Sequence, residues 1–103
     1  MDTTTCCRMA DVIKALAHPS RLAMVLALAE GEMCVCNLQE LVGSDMSTVS
    51  RHLSQLRAAG IVADRKQGLW VYYSLRTPCV LSFLGCIESL VADNAAPDEA
   101  ARP

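Results

Sequence analysis

The sequence predicts a mainly α-helical domain with one small β-hairpin, and three observations carry that prediction. Most of the 103 residues fall into short segments whose apolar side chains recur every three or four positions, the spacing of one helical face. Those segments are closed by Gly31, Gly43 and Gly60 or opened by Pro19 and Pro78, residue types that stop and start helices. Only residues 61–75 change pattern, to β-branched and aromatic side chains around a glycine.

Taken in order, residues 8–17 put Met9, Val12, Ile13 and Leu16 on one face, and His18-Pro19 ends that helix. Pro19 suits the first turn of a second helix, where its missing N–H costs nothing, and Leu22, Val25, Leu26 and Ala29 follow at core-facing spacing until Gly31. A short third helix is expected over residues 35–42, with Val35, Leu38, Leu41 and Val42 inward and Gly43 as its stop. Ser44 and Asp45 stand where they can cap a fourth helix, residues 46–59, whose inward stripe is Val49, Leu53 and Leu56. Two short helices joined by a brief glycine-containing turn make a helix-turn-helix. Residues 61–65 and 69–75 then pair around Gln67-Gly68 as a hairpin, and a hairpin in that place is a wing. Thr77-Pro78 opens a last helix in which Val80, Leu84, Ile87 and Val91 form an apolar stripe broadened by Phe83 and Leu90. A helix so apolar, on a domain otherwise complete, needs a partner. The domain is expected to span residues 1–94, and residues 95–103, which have alanine, proline and charge but no apolar periodicity, to be a disordered tail.

Composition narrows the function classes. The longest unbroken apolar run, residues 22–29, falls far short of the roughly 20 residues a membrane helix needs, and no secretory signal opens the chain. A cytoplasmic location follows as an expectation, with no membrane contact. Thiols there stay mostly reduced, so Cys6, Cys7, Cys34, Cys36, Cys79 and Cys86 read as candidate ligands for soft ions before they read as disulfides. The net charge of −2 gives no global sign of nucleic-acid binding. Its distribution does: residues 46–76 carry Arg51, Arg57, Arg65, Lys66 and Arg76 against Asp64 alone, while Glu30, Glu32 and Glu40 lie elsewhere.

On the fourth helix Ser47, Thr48, Ser50, Arg51, Gln55 and Arg57 avoid the three-residue apolar stripe, so several project outward near the start, the end that recognition helices direct at base edges, and His52 is expected to serve similarly. Small hydroxyls admit close approach, and Arg51 can reach guanine or phosphate. Arg65 and Lys66 sit beside the wing turn. Trp70, Tyr72 and Tyr73 read as wing packing rather than base-stacking residues, and His18 as a packing residue rather than a ligand.

The stretches LAHPSRL (16–22), MCVCNL (33–38), TVSRHLSQLRAAGIV (48–62) and DRKQGLWVYY (64–73) closely resemble the arsenic-repressor (ArsR/SmtB) family of metal-responsive winged helix-turn-helix repressors, over most of residues 9–92. The resemblance implies a homodimer paired through the first and last helices, bound without inducer to double-stranded operator DNA and released when inducer binds. Two-fold symmetry then implies inverted half-sites about 10 bp apart. It implies no permanently held cofactor and no enzyme, but an inducer ion such as As(III), Sb(III), Cd(II) or Pb(II), with arsenite or antimonite foremost.

Cys34 and Cys36 are two apart, a spacing that separates side chains on a regular helix, so both can ligate one ion only where the helix start departs from helical geometry. The arsenic repressors have a third cysteine three residues on, where this chain has Gln39. The resemblance therefore favours a site like that of the relatives that sense Cd and Pb, with Cys6 and Cys7 on the N-terminal arm of one subunit completing the pair of the other. Cys79 and Cys86 could form a second thiol site near the dimer seam, although cysteines in a packed helix usually serve as small hydrophobes. No histidine follows His52, so the family's histidine-rich site in the last helix is not expected. A thiol redox or persulfide switch on the same fold is the alternative. A thiol enzyme lacks any Cys-x-x-Cys or phosphate-binding loop.

Overall fold

A computed structural model describes residues 1–94, so the tail expected over 95–103 lies outside the described residues. The chain runs α1 (Thr3–Leu16), α2 (Pro19–Ala27), a 3-10 turn (Leu28–Glu30), β1 (Met33–Cys34), α3 (Val35–Val42), α4 (Met46–Ala58), β2 (Val62–Gln67), β3 (Trp70–Leu75) and α5 (Val80–Asp93). Gly43 closes α3 in the left-handed region at φ 79°, a conformation that costs a residue without Cβ nothing.

The first helix starts earlier than its apolar stripe suggests. Asp2 caps it, its carboxylate accepting from the Thr5 N–H at 2.8 Å, so the first turns run through the three threonines and both N-terminal cysteines. The expected arm bearing Cys6 and Cys7 is therefore helical. Capping supplies what periodicity lacks there.

The wing is larger than a hairpin. β2 and β3 pair antiparallel from Val62↔Leu75 to Gln67↔Trp70, and β1 adds a third strand on the far side of β3 through Met33↔Tyr73 and Cys34↔Tyr72. The turn is Gly68-Leu69, one residue beyond the expected centre, and Gly68 alone takes positive φ there (62°), as a two-residue turn of type II′ requires.

The core is built where α2, α3, α4 and the sheet meet. Met24, Val25, Leu38, Val49, Leu53 and Leu56 are wholly buried, and Leu28, Ile61, Val62, Tyr73 and Leu84 nearly so. The α4 stripe is the expected one. On α2 and the 3-10 turn that follows it the inward residues are Met24, Val25 and Leu28, while Leu26 and Ala29 face out; on α3 Leu38 is buried and Leu41 exposed. Two helices keep apolar residues in water: Met9, Val12 and Ile13 on α1, and Phe83, Ile87, Leu90 and Val91 on α5. Between them lies a groove of about 400 Å³ lined by Met9, Ile13, Leu16, Ile61, Val80 and Phe83.

Candidate nucleic-acid interface and thiol site

α4 presents one polar face because the opposite side is committed to the core. Ser47, Ser50, Arg51 and Gln55 are exposed and Thr48 half-buried. Asp45, at the N-cap, takes hydrogen bonds from the Ser47 hydroxyl and from Thr48 Oγ1 (2.5 Å), which hold its carboxyl at a pKa of about 2. Both hydroxyls are thereby fixed at the helix start.

His52, expected on the outward face, turns inward instead, a correction with a geometric cause. It lies three residues after Val49 and four before Leu56, so it falls on the buried stripe and is 7% exposed. Its Nδ1 accepts from Arg21 Nε at 3.0 Å, and its ring sits 4.3 Å from that of His18. Burial, then the neighbouring His18, Arg21 and Arg51, push its pKa down, so it stands neutral as an acceptor. Arg21 also donates to the Ala15 carbonyl at 3.2 Å and so ties α1, α2 and α4 together. His18 caps α2 by accepting from the Ser20 N–H at 3.1 Å, a packing role in keeping with its sequence reading. Arg21 and its link to His52 escape a reading of α2 by apolar period alone; the arginine two residues past Pro19 was their only signal.

On the wing the two expected cations differ. Lys66 is exposed and makes no ion pair among the described residues, whereas Arg65 is bound by Glu32 at 2.7 and 2.8 Å. At the base of the wing Arg57 pairs with Asp64 at 2.9 Å. Tyr73 is buried, which raises its hydroxyl pKa, and Tyr72 is half-buried, but Trp70 is 56% exposed beside the fully exposed Leu69. Trp70 thus departs from the packing role expected for it: it pairs with the last residue of β2, beyond the reach of any helix.

Cys34 stands just outside α3 as its N-cap, in extended conformation (φ −72°, ψ 149°), and Cys36 lies in the first turn. The Cys36 N–H donates to Cys34 Sγ at 3.2 Å, and the two sulfurs, expected as free thiol ligands, instead meet as a disulfide across Cα atoms 5.4 Å apart, because the extended cap turns Cys34 back toward the first helical turn. Convergence at a helix start is what this spacing requires. Cys6, Cys7, Cys79 and Cys86 are free and exposed. Among the described residues no three His, Cys, Asp or Glu side chains of one chain gather as a metal site. Gln39 reaches the other way, donating to the Ser44 carbonyl at 3.4 Å across the turn between α3 and α4. No single helix among the described residues is long and apolar enough to cross a membrane.

Comparison with known proteins agrees with this geometry. Residues 18–64, which run from the α2 cap through α4 into β2, match the bacterial regulatory proteins of the arsR family. The chain is 51% identical over 65 residues to the arsenic resistance transcriptional regulator ArsR1 of Pseudomonas putida, a match covering 62% of this chain and 51% of the relative, about half its length. It is 36% identical over 85 residues to the nodulation protein NolR of Rhizobium meliloti, covering 82% of this chain and 70% of that one. Among solved structures it resembles the homodimeric winged helix-turn-helix DNA-binding domain Mb0332 of Mycobacterium bovis, at TM-score 0.78 and 27% identity over 89% of this chain and 85% of that one. The first of these is named a transcriptional regulator and the last a DNA-binding domain. On the element order, the three-stranded wing and these matches, the chain belongs to the ArsR family of bacterial regulatory proteins.

Proposed function

We propose that this chain works as a homodimeric repressor in the cytoplasm, gripping double-stranded operator DNA with α4 and the wing and releasing it when a thiophilic ion is captured at Cys34 and Cys36. The observation that carries the reading is one of adjacency: the converged sulfurs cap α3, and α3 packs on α4, whose outward Ser47, Thr48, Ser50, Arg51 and Gln55 are the groove-facing set. Any ligand that re-spaces the sulfurs must move the N-terminus of α3 and, through packed side chains, the helix beside it. Lys66 supplies phosphate contacts from the wing, joined by Arg65 to the extent that Glu32 yields it.

The apolar faces of α1 and α5 support the dimer, since a second copy would cover Met9, Ile13, Phe83, Ile87 and Leu90 together. Two-fold pairing sets inverted half-sites about 10 bp apart. The donor set fits a soft ion once the disulfide is reduced by a cytosolic thiol, which takes the bond's place as the oxidised partner: such an ion binds thiolates and holds them together, and reduced Cys34 and Cys36 stand close enough to offer two. One chain gathers no third ligand among the described residues, so Cys6 or Cys7 of the partner subunit completes the site. Adjacent residues on a helix point about 100° apart, so one of the two does this rather than both. Arsenite or antimonite is the favoured inducer, with Cd(II) or Pb(II) next.

The test is fluorescence anisotropy of a labelled duplex from the chain's own promoter, with reduced protein under anaerobic conditions. Salt-sensitive binding that is lost on stoichiometric addition of arsenite or Cd(II), and retained in Cys34→Ser, is the expected result. No binding at any salt concentration refutes the repressor, and release only on oxidation refutes ion sensing in favour of a redox switch.

A further inference from the structure

Every nitrogen of the Arg65 guanidinium is engaged within the chain, which leaves one N–H on each of Nη1 and Nη2. Its Nε and Nη2 grip both carboxylate oxygens of Glu32 at 2.8 and 2.7 Å, and Nη1 donates to Gln67 Oε1 at 2.8 Å. The guanidinium lies over the Tyr72 ring, 4.7 Å from its centre. A fork-on-fork pair of this kind is the geometry with which arginine also takes a phosphate, so carboxylate and phosphate are competitors for the same face of the same group.

The carboxylate is not placed at random. Glu32 precedes β1 by one residue, and β1 is the strand on which Cys34 sits. The register puts Cys34 opposite Tyr72 and Tyr72 opposite Arg65, so the three form one row across three strands, with side chains on one face of the sheet. The strand that carries Cys34 and the residue that holds the wing arginine are consecutive pieces of chain, and Tyr72, the register partner of both Cys34 and Arg65, carries the guanidinium on its ring.

Building on the repressor reading above, we propose that Glu32 is an internal competitor of DNA for Arg65. It is a positioning residue that meters how much of the wing's charge reaches the phosphate backbone, and the row Cys34–Tyr72–Arg65 makes that share depend on the state of the thiol pair. Lys66, on the neighbouring row and without an ion pair among the described residues, is the constant part of the wing's charge.

The experiment compares wild type, Glu32→Gln, Arg65→Ala and the double variant in salt titrations of duplex binding, on promoter DNA and on a scrambled duplex of equal length. Each added phosphate contact steepens the dependence of log K on log salt by about 0.9, so freeing Arg65 in both subunits makes the slope of Glu32→Gln steeper by about 1.8 per dimer. Its affinity at low salt rises severalfold on both duplexes, because phosphates carry no sequence. In the Arg65→Ala background the same substitution has no such effect, which separates the clamp from general relief of repulsion. Arsenite or Cd(II) is expected to release Glu32→Gln less completely than wild type. The proposal is overturned if Glu32→Gln keeps the wild-type slope while wild type binds and Arg51→Ala does not, or if its effect persists without Arg65. If wild type binds neither duplex, the repressor reading itself falls and takes this one with it. Unchanged helical circular dichroism in the isosteric Glu32→Gln variant checks that the fold is intact.

Discussion

Helix α4 turns Val49, Leu53 and Leu56 wholly out of water, whereas α5, the more apolar of the two, buries only Leu84 and leaves Phe83, Ile87, Leu90 and Val91 exposed. Amount of apolar surface therefore does not decide burial within one chain. Position does: α4 is wedged between α2, α3 and the base of the wing, and α5 lies outside a core that is already filled. The inner stripe belongs to folding and, in the dimer proposed above, the outer one belongs to assembly, so the two are expected to respond differently to substitution.

The largest effect is expected from Leu53→Ala. Truncating a fully buried leucine leaves a cavity and costs roughly 2–5 kcal/mol, enough to unfold much of a marginal domain, measured as a drop in urea midpoint. Ile87→Glu on the outer stripe leaves the helical signal in place but yields monomers in sedimentation equilibrium and abolishes the rise of melting temperature with protein concentration that a dimer shows. A monomeric Leu53→Ala that is fully folded, or an Ile87→Glu that still dimerises, would erase the distinction between the stripes.

Arg51→Ala changes neither stripe and costs about 1–3 kcal/mol of operator affinity, with ion binding intact. The smallest effect is one of pH. His52 has a folded pKa below its ordinary 6.5, so the native state binds fewer protons than the unfolded chain. Stability is complete above pH 6.5, falls as pH drops through the range below it, and levels off under the folded pKa. Urea melts between pH 7.5 and 5 should show this decline, and His52→Gln should flatten it.

Much of this was legible in the sequence because local signals and tertiary demand agree there. The bounds of α3 match the reading, and α4 stops one residue early, since Gly43, Asp45 and Gly60 punctuate them. Two failures have different causes. His52 was read by its chemistry when its place, three after Val49 and four before Leu56, already assigned it to the core. β1 has two residues and no period to read; it is a strand only because β3 offers it an edge. The thiol pair was legible as residues, but the distance between its sulfurs depends on Cys34 being the α3 cap, which only the folded backbone supplies.

Gln39 occupies the position where arsenic repressors place another cysteine, and it staples α3 to the start of α4 through Ser44. On the function proposed above, a chain so built trades self-sufficiency for rigidity: a lone subunit holds an incomplete set of sulfurs, so detection of the ion is a collective property that vanishes on dilution. Gln39→Cys would return that capacity to each subunit separately while loosening the elbow that aims the reading helix, making the molecule a more independent detector and a less exact reader.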